Sequence, residues 1–92
     1  MTDLENIETR RKRVLYRAQH RGTQELDILI GGYVADRLET LDGALLDRIE
    51  ILLDHEETEL QAWLMGLGAI PETVDHDLIA SIRDHKLSRV RS

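Results

Sequence analysis

The spacing of apolar residues is helical along the whole chain, and it limits the possible folds more than any other feature of the sequence. The clearest set follows the i, i+3, i+4, i+7 rule of an amphipathic helix and consists of Leu26, Leu29, Ile30 and Tyr33. No stretch alternates convincingly with the period of two that a half-buried strand requires. The sequence therefore predicts an all-α fold.

Five helical segments are predicted from this spacing. The first two run over about 5–20 and 23–37, and the apolar residues of the others lie at 45–53, 60–67 and 74–82. Short helices with short connections are typical of a compact five-helix bundle, so we predict a single small domain over residues 1–92. Its core is expected at about 5–86, and the basic tail at 87–92 is expected to be flexible.

The same pattern assigns caps and core positions. Thr23 and Asp42 are the expected N-caps of the second and third helices. Gly66 or Gly68 is expected to end the fourth helix. Its apolar stripe consists of Leu60, Trp63, Leu64 and Leu67. A large aromatic residue on such a stripe usually fills the core, so we predict that Trp63 is buried.

A pair of glycines, Gly31 and Gly32, interrupts the second helical pattern. Each glycine inside a helix costs about 0.5–1 kcal/mol relative to alanine, so the pair needs a reason. Close packing against a neighbouring helix, or a kink, is the favoured explanation. The alternative is the approach of a partner backbone.

Charge is distributed unevenly along the sequence. The net charge is -6, yet residues 10–21 hold six cations and no acid, whereas residues 22–82 hold fourteen acids against Arg37 and Arg48. Phosphate contacts need clustered Lys and Arg, so the overall acidity argues against general nucleic-acid binding. The basic first helix leaves one alternative open, which is a regulatory partner-binding or nucleic-acid-binding, antitoxin-like protein.

Composition restricts the chemistry and the compartment. The chain has no cysteine, which excludes disulfides, thiolate metal sites and a thiol nucleophile. The first residues lack an apolar run of signal-peptide length, and no run approaches the roughly 20 residues that span a bilayer. We therefore expect a bacterial cytoplasmic protein that does not insert into membranes.

No convincing catalytic or metal site is visible in the sequence. His55 opens "HEETE", which places Glu59 where a metalloprotease motif has its second histidine. No third ligand is evident, and acids near a helix start are ordinary partners of the helix dipole. His76 and His85 lie nine residues apart on the fifth segment and are expected at the surface. We predict neither catalysis nor a metal site.

The stretch "RGTQE", residues 21–25, is the most informative connection. Gly22 suits the left-handed conformation that stops a helix, and Thr23 suits the N-cap of the next. Glu25 then falls in the first turn, where a carboxylate favours the helix dipole. Local structure therefore explains these residues without any partner, although a functional turn remains equally open.

Four arginines precede and enter this turn with spacings of 3, 4 and 4, and they are Arg10, Arg13, Arg17 and Arg21. This spacing aligns them on one helical face, where like charges repel. The face is therefore expected to meet acidic groups. Glu25 and Asp27 of the second helix, or a partner protein, are the expected sources.

These residues carry a resemblance to a known family. The run "RRKRVLYRAQHRGTQELDILIGGYVADRL", followed by an acidic helix and "LQAWLMGLGAIPE", resembles the succinate dehydrogenase assembly factors, which are flavinylation factors of bacteria and mitochondria. The resemblance covers roughly residues 10–83. The family signature RGxxE is met by Arg21, Gly22 and Glu25. Many members have a basic residue before the glutamate, where this chain has Gln24.

The resemblance implies a five-helix bundle that assists the assembly of another protein. The implied partner is the flavoprotein subunit of succinate dehydrogenase, and that of fumarate reductase in addition. The implied action is to promote covalent attachment of FAD to a histidine of that subunit, with no cofactor bound permanently to this chain, which is expected to be a monomer. The expected contact residues are Arg21, Gly22 and Glu25, together with Tyr16, Arg17 and Asp27.

Overall fold

Five α-helices and one short 3₁₀ helix form the described part of the chain. The computed structural model describes the backbone of residues 6–91 and the side chains of residues 6–85. The α-helices are α1 (Ile7–Gln19), α2 (Gln24–Asp36), α3 (Gly43–Leu53), α4 (Glu57–Met65) and α5 (His76–Arg91), and the 3₁₀ helix spans Leu38–Thr40. No strand occurs within 6–91. The predicted all-α, five-helix fold is confirmed.

Side-chain caps set the starts of the helices. The N–H of Leu26 donates to the Thr23 hydroxyl, and the N–H of Leu45 donates to the Asp42 carboxylate. Both predicted N-caps are therefore confirmed. Gly66, with a φ of +74°, ends α4 in the left-handed conformation. This ending turns the chain before Leu67, which is 76% exposed, so the predicted apolar stripe was wrong at that residue.

The core is built almost entirely from leucine, isoleucine and valine. It includes the whole predicted stripe of α2, and Trp63, at 6% exposed, lies within it as predicted. The radius of gyration of 13.1 Å is close to the roughly 12 Å expected for a compact domain of this length. The predicted helix start at residue 5 and the predicted flexible tail at 87–92 lie outside the residues whose side chains are described, and they stay predictions.

Gly31 lets α1 and α2 approach closely. A Cβ added there would lie 2.9 Å from Gln19 Cγ, a distance that real Cβ atoms essentially never show, and 3.3 Å from Gln19 Cα, which is tighter than most such contacts. The packing explanation is therefore confirmed for Gly31. The close approach fixes the hairpin of α1 and α2, and thereby the position of the turn between them.

Polar contacts anchor α5 at both described ends. Arg48 of α3 donates two hydrogen bonds to the Asp75 carboxylate, at 2.7 and 3.1 Å, and the N–H of Leu78 donates to the same side chain. Further along, the His85 ring lies 2.7 Å from the Asp36 carboxylate and edge-on to Tyr33. The His85 side chain is only 10% exposed. The prediction of a surface position is confirmed for His76 and wrong for His85.

Candidate partner-binding site

The turn between α1 and α2 is held by its own backbone and side chains. Gly22 has a φ of +108°, a region that L side chains rarely adopt. The N–H of Arg21 donates a 2.6 Å hydrogen bond to the Asp27 carboxylate. Together with the Thr23 cap, this contact ties the turn to the first turn of α2.

The Arg21 side chain points inward to the end of α3. One guanidinium nitrogen donates a 3.0 Å hydrogen bond to the carbonyl oxygen of His55, just beyond the last turn of α3. A cation at this position also interacts favourably with the negative end of the helix dipole. Arg21 Nε is buried without a hydrogen-bond partner. Arg21 therefore has a structural role as well as its expected role as a contact residue.

The N-terminus of α4 covers Gly22. A Cβ built on Gly22 would overlap the Glu57 carboxylate, with Glu57 Cδ only 2.9 Å away. The carboxylate therefore occupies the space that a side chain at position 22 would need. Within the described part of the chain, no hydrogen-bond donor or cation pairs with Glu57. A half-buried carboxylate with no partner among the described residues thus lies next to Gly22.

Glu25 is also linked to α4. Its carboxylate accepts a 2.9 Å hydrogen bond from the Gln61 amide. Glu57 and Gln61 are one helical turn apart, so both point from the same face of α4 toward the turn. The surface around Gly22 is therefore built jointly from the turn and from α4.

Two other expected contact residues lie on α1. Tyr16 is 64% exposed and stacks on His20, with ring centroids 4.1 Å apart. Arg17 lies 2.9 Å from the Asp54 carboxylate and retains 35% side-chain exposure. Tyr16 is thus available to a partner, whereas Arg17 already has an ion pair within the chain.

The basic face of α1 meets the acids of α3. Arg10 pairs with Asp47 and Glu50, and Arg13 pairs with Glu50 at 3.5 Å. The pairs Arg10–Asp47, Arg13–Glu50 and Arg17–Asp54 share one sequence separation of 37, which shows that α1 and α3 run parallel. The hydrogen bond that Arg10 donates to Glu50, and then the one it donates to Asp47, raise the pKa of the Arg10 guanidinium.

The expectation that Glu25 and Asp27 supply these acids was therefore wrong. Neither Glu25 nor Asp27 pairs with the arginine face, because Glu25 turns toward α4 and Asp27 accepts from the backbone of the turn. The acids come from a third helix whose placement follows from tertiary packing. The spacing of acids along α3 was the available signal: Asp47, Glu50 and Asp54 are also spaced 3 and 4.

Sequence reasoning missed Glu57 and Gln61 altogether. The first lies in a run of acids that looks like an ordinary helix start, and the second is a single amide. Neither has a signal of its own in the sequence, because its place depends on how α4 packs on the turn.

Within the described residues, no three His, Cys, Asp or Glu side chains come together as a metal site would require. His55 lies 3.7 Å from Glu59 and edge-on to Trp63. In the same part of the chain, no helix has the length and apolar character needed to cross a membrane.

The fold and this surface define a small all-α protein whose α1–α2 turn is tied to α2 by hydrogen bonds and lies against α4. The model of the family described as flavinator of succinate dehydrogenase matches residues 12–86. The chain therefore belongs to that family, which confirms the resemblance found in the sequence.

Several curated proteins are similar to this chain. A protein of Acetobacter pasteurianus named FAD assembly factor SdhE is 43% identical over 68 residues, covering 74% of this chain and 62% of its own. One of the same name from Legionella pneumophila is 36% identical, covering 80% and 91%. The mitochondrial succinate dehydrogenase assembly factor 2 of Arabidopsis thaliana is 30% identical, covering 95% and 48%. The chain thus spans less than two thirds of the Acetobacter and Arabidopsis relatives. No solved structure matches this chain.

Proposed function

We propose that this chain binds the flavoprotein subunit of succinate dehydrogenase and promotes covalent attachment of FAD to it. The observation that carries the proposal is the family match over residues 12–86, supported by relatives named as FAD and succinate dehydrogenase assembly factors. We further propose that the flavoprotein of fumarate reductase is also served. The protein acts as a monomer in the bacterial cytoplasm and is not an enzyme.

The structure suggests how such a factor works. The turn is rigid, because Gly22, the Thr23 cap and the contact between Arg21 and Asp27 fix its backbone. A rigid surface loses little entropy on binding and can hold a mobile part of its partner in one position. Holding the flavin against its acceptor histidine speeds the reaction by positioning alone. This chain then needs no catalytic group of its own, and the bond-forming groups are those of the flavoprotein and its cofactor.

Arg21, Gly22 and Glu25 are the proposed contact residues, with Tyr16, Arg17 and Asp27 beside them. Glu25 is the residue best suited to a direct test, because it is exposed and its one described hydrogen bond is to the surface amide of Gln61. Arg21 and Gly22 are less suitable, since both also hold the turn together.

The test is to co-express the flavoprotein with this chain, denature the product and measure the flavin fluorescence that stays with the polypeptide. We expect covalent flavin to rise with the wild-type chain and to fall strongly with Glu25→Ala. Glu72→Ala is the matched control, because Glu72 is an exposed glutamate on the loop before α5. No increase with the wild-type chain would refute the proposed function. An increase that persists in Glu25→Ala would remove only the role of Glu25.

A further inference from the structure

The outer face of α2 is apolar although it lies in solvent. Ile28 is 63% exposed, and Gly32 and Ala35 follow it on the same face at spacings of 4 and 3. The opposite face of the helix is fully occupied by the core. Covering Ile28 with a partner side chain would remove this exposed apolar surface from water, which favours binding.

The surroundings of this face are acidic near the turn. Residues 22–36 contain no Lys or Arg. Glu25, one turn before Ile28, is exposed, and the Glu57 carboxylate over Gly22 has no partner among the residues described. A complementary surface therefore combines an apolar group with a cation, since potentials across an interface are complementary.

We propose that the outer face of α2, centred on Ile28, extends the docking turn and receives a flavoprotein segment with an apolar side chain and a Lys or Arg. The apolar side chain covers Ile28, and the cation pairs with Glu57. Gly32 allows the backbone of that segment to approach closely because it has no Cβ. The inference rests on the proposed function and specifies which part of the surface carries it.

A second copy of this chain is a poorer occupant of the same face. In a two-fold dimer the same patch faces itself, so Glu25 and Glu57 of both copies would be brought toward one another. Like charges at such an interface are unfavourable. The acidic surroundings thus favour a basic partner over self-association.

The experiment compares Ile28→Asn with Ile51→Asn in binding to the purified flavoprotein subunit of succinate dehydrogenase. Ile51 lies on α3 and is 64% exposed, about as much as Ile28. Both substitutions therefore replace an exposed helical isoleucine, but only Ile28 lies on the proposed binding face. Both variants should unfold at the same temperature as the wild type. We expect Ile28→Asn to weaken binding at least about tenfold, equivalent to about 1.4 kcal/mol, and Ile51→Asn less than about twofold.

A charge variant tests the proposed ion pair between Glu57 and a cation of the partner. Glu57→Gln keeps the shape of the side chain and removes its charge, and Glu72→Gln is the control. We expect the wild-type affinity to fall as salt rises, because an ion pair at the rim of an interface is screened. Glu57→Gln should bind more weakly at low salt and show a smaller salt dependence, whereas Glu72→Gln should follow the wild type.

The outcomes separate this inference from the proposed function. If the wild-type chain does not bind the flavoprotein, both are refuted. If it binds and the two isoleucine variants weaken binding equally, or Glu57→Gln keeps the wild-type salt dependence, this inference is refuted while the proposed function stands. If the wild type sediments as a dimer and Ile28→Asn as a monomer, the face joins two copies of this chain and the inference is also refuted.

Discussion

At the scale of single residues, Gly22 shows that the proposed contact motif also serves its own fold. Its φ of +108° and the Glu57 carboxylate above it each disfavour a side chain at this position. A loss of function in a Gly22 variant therefore does not by itself identify a partner contact. The backbone conformation and the contact with α4 must be separated from binding.

We expect Gly22→Ala to lower the free energy of unfolding by about 1–2 kcal/mol from the left-handed backbone alone, with a further loss from the overlap with Glu57. The double variant Gly22→Ala/Glu57→Ala should recover only the stability lost to the overlap, because it removes the Glu57 carboxylate. The loss from the left-handed backbone should remain. Urea denaturation of the single and double variants measures both parts.

Gly68→Ala is the matched control for this series. Gly68 has no positive φ, and a Cβ there would lie 4.0 Å from the Ala62 methyl group, an ordinary contact. It should change stability little. Equal stability of Gly22→Ala and Gly68→Ala would show that neither strain nor overlap operates at the turn.

At the scale of helices, ion pairs link α3 to α1 on one side and to the start of α5 on the other. The pair with α5 is Arg48–Asp75, in which the same carboxylate also accepts from the N–H of Leu78 at the start of the helix. Arg48 and then the Leu78 N–H hold the pKa of the Asp75 carboxyl below its usual value, although burial opposes this shift. Asp75 is thus both a cap and a bridge.

This lowered pKa predicts a specific loss of stability in acid. Because the folded pKa lies below the unfolded one, the contribution is fully present above the ordinary aspartate pKa of about 4 and is lost as pH falls through the folded value. We expect Asp75→Asn, which keeps a capping oxygen, to be less stable than the wild type by roughly 0.5–1 kcal/mol at neutral pH, the size of a partly exposed ion pair. The difference should shrink toward zero in strong acid.

Urea unfolding of both proteins over a series of pH values measures this difference. Asp84→Asn is the control, because Asp84 is exposed and makes no hydrogen bond or ion pair with any described side chain. A difference between wild type and Asp75→Asn that stays constant down to the lowest pH would contradict the role of the carboxylate charge.

The helices were predictable from sequence because their information is local. The i, i+3, i+4 spacing alone placed Leu26, Ile30 and Tyr33 in the core, and the residue types of Thr23 and Asp42 were sufficient for the caps. The contacts of the candidate site were not predictable in the same way. Glu57 over Gly22, and Gln61 on Glu25, join residues far apart in sequence, and their positions depend on how α4 packs.

At the scale of the whole molecule, the uneven charge of the sequence is largely balanced in space. The cations of α1 lie against the acids of α3, so the face that was the best candidate for binding phosphates is occupied within the chain. What remains is an acidic molecule with a net charge of -6. The structure therefore gives no support to the alternative of a nucleic-acid-binding protein.

We accordingly expect no retardation of duplex DNA or structured RNA in a gel-shift titration at near-physiological salt. Phosphate contacts release counterions, so true binding would weaken steeply as salt rises. Binding that shows this dependence and is lost in Arg10→Ala or Arg17→Ala would contradict the expectation and revive the alternative.

The constant separation of 37 residues between α1 and its partners on α3 has a consequence for the synthesis of the chain. A ribosome adds residues at about 5–20 per second, so α1 precedes its acidic partners by roughly 2–7 s. During that interval Arg10, Arg13 and Arg17 of the newly made helix lack the counter-charges that α3 and its C-cap supply. The basic face of α1 is therefore open to solvent at first, and it gains its ion pairs only when α3 has emerged.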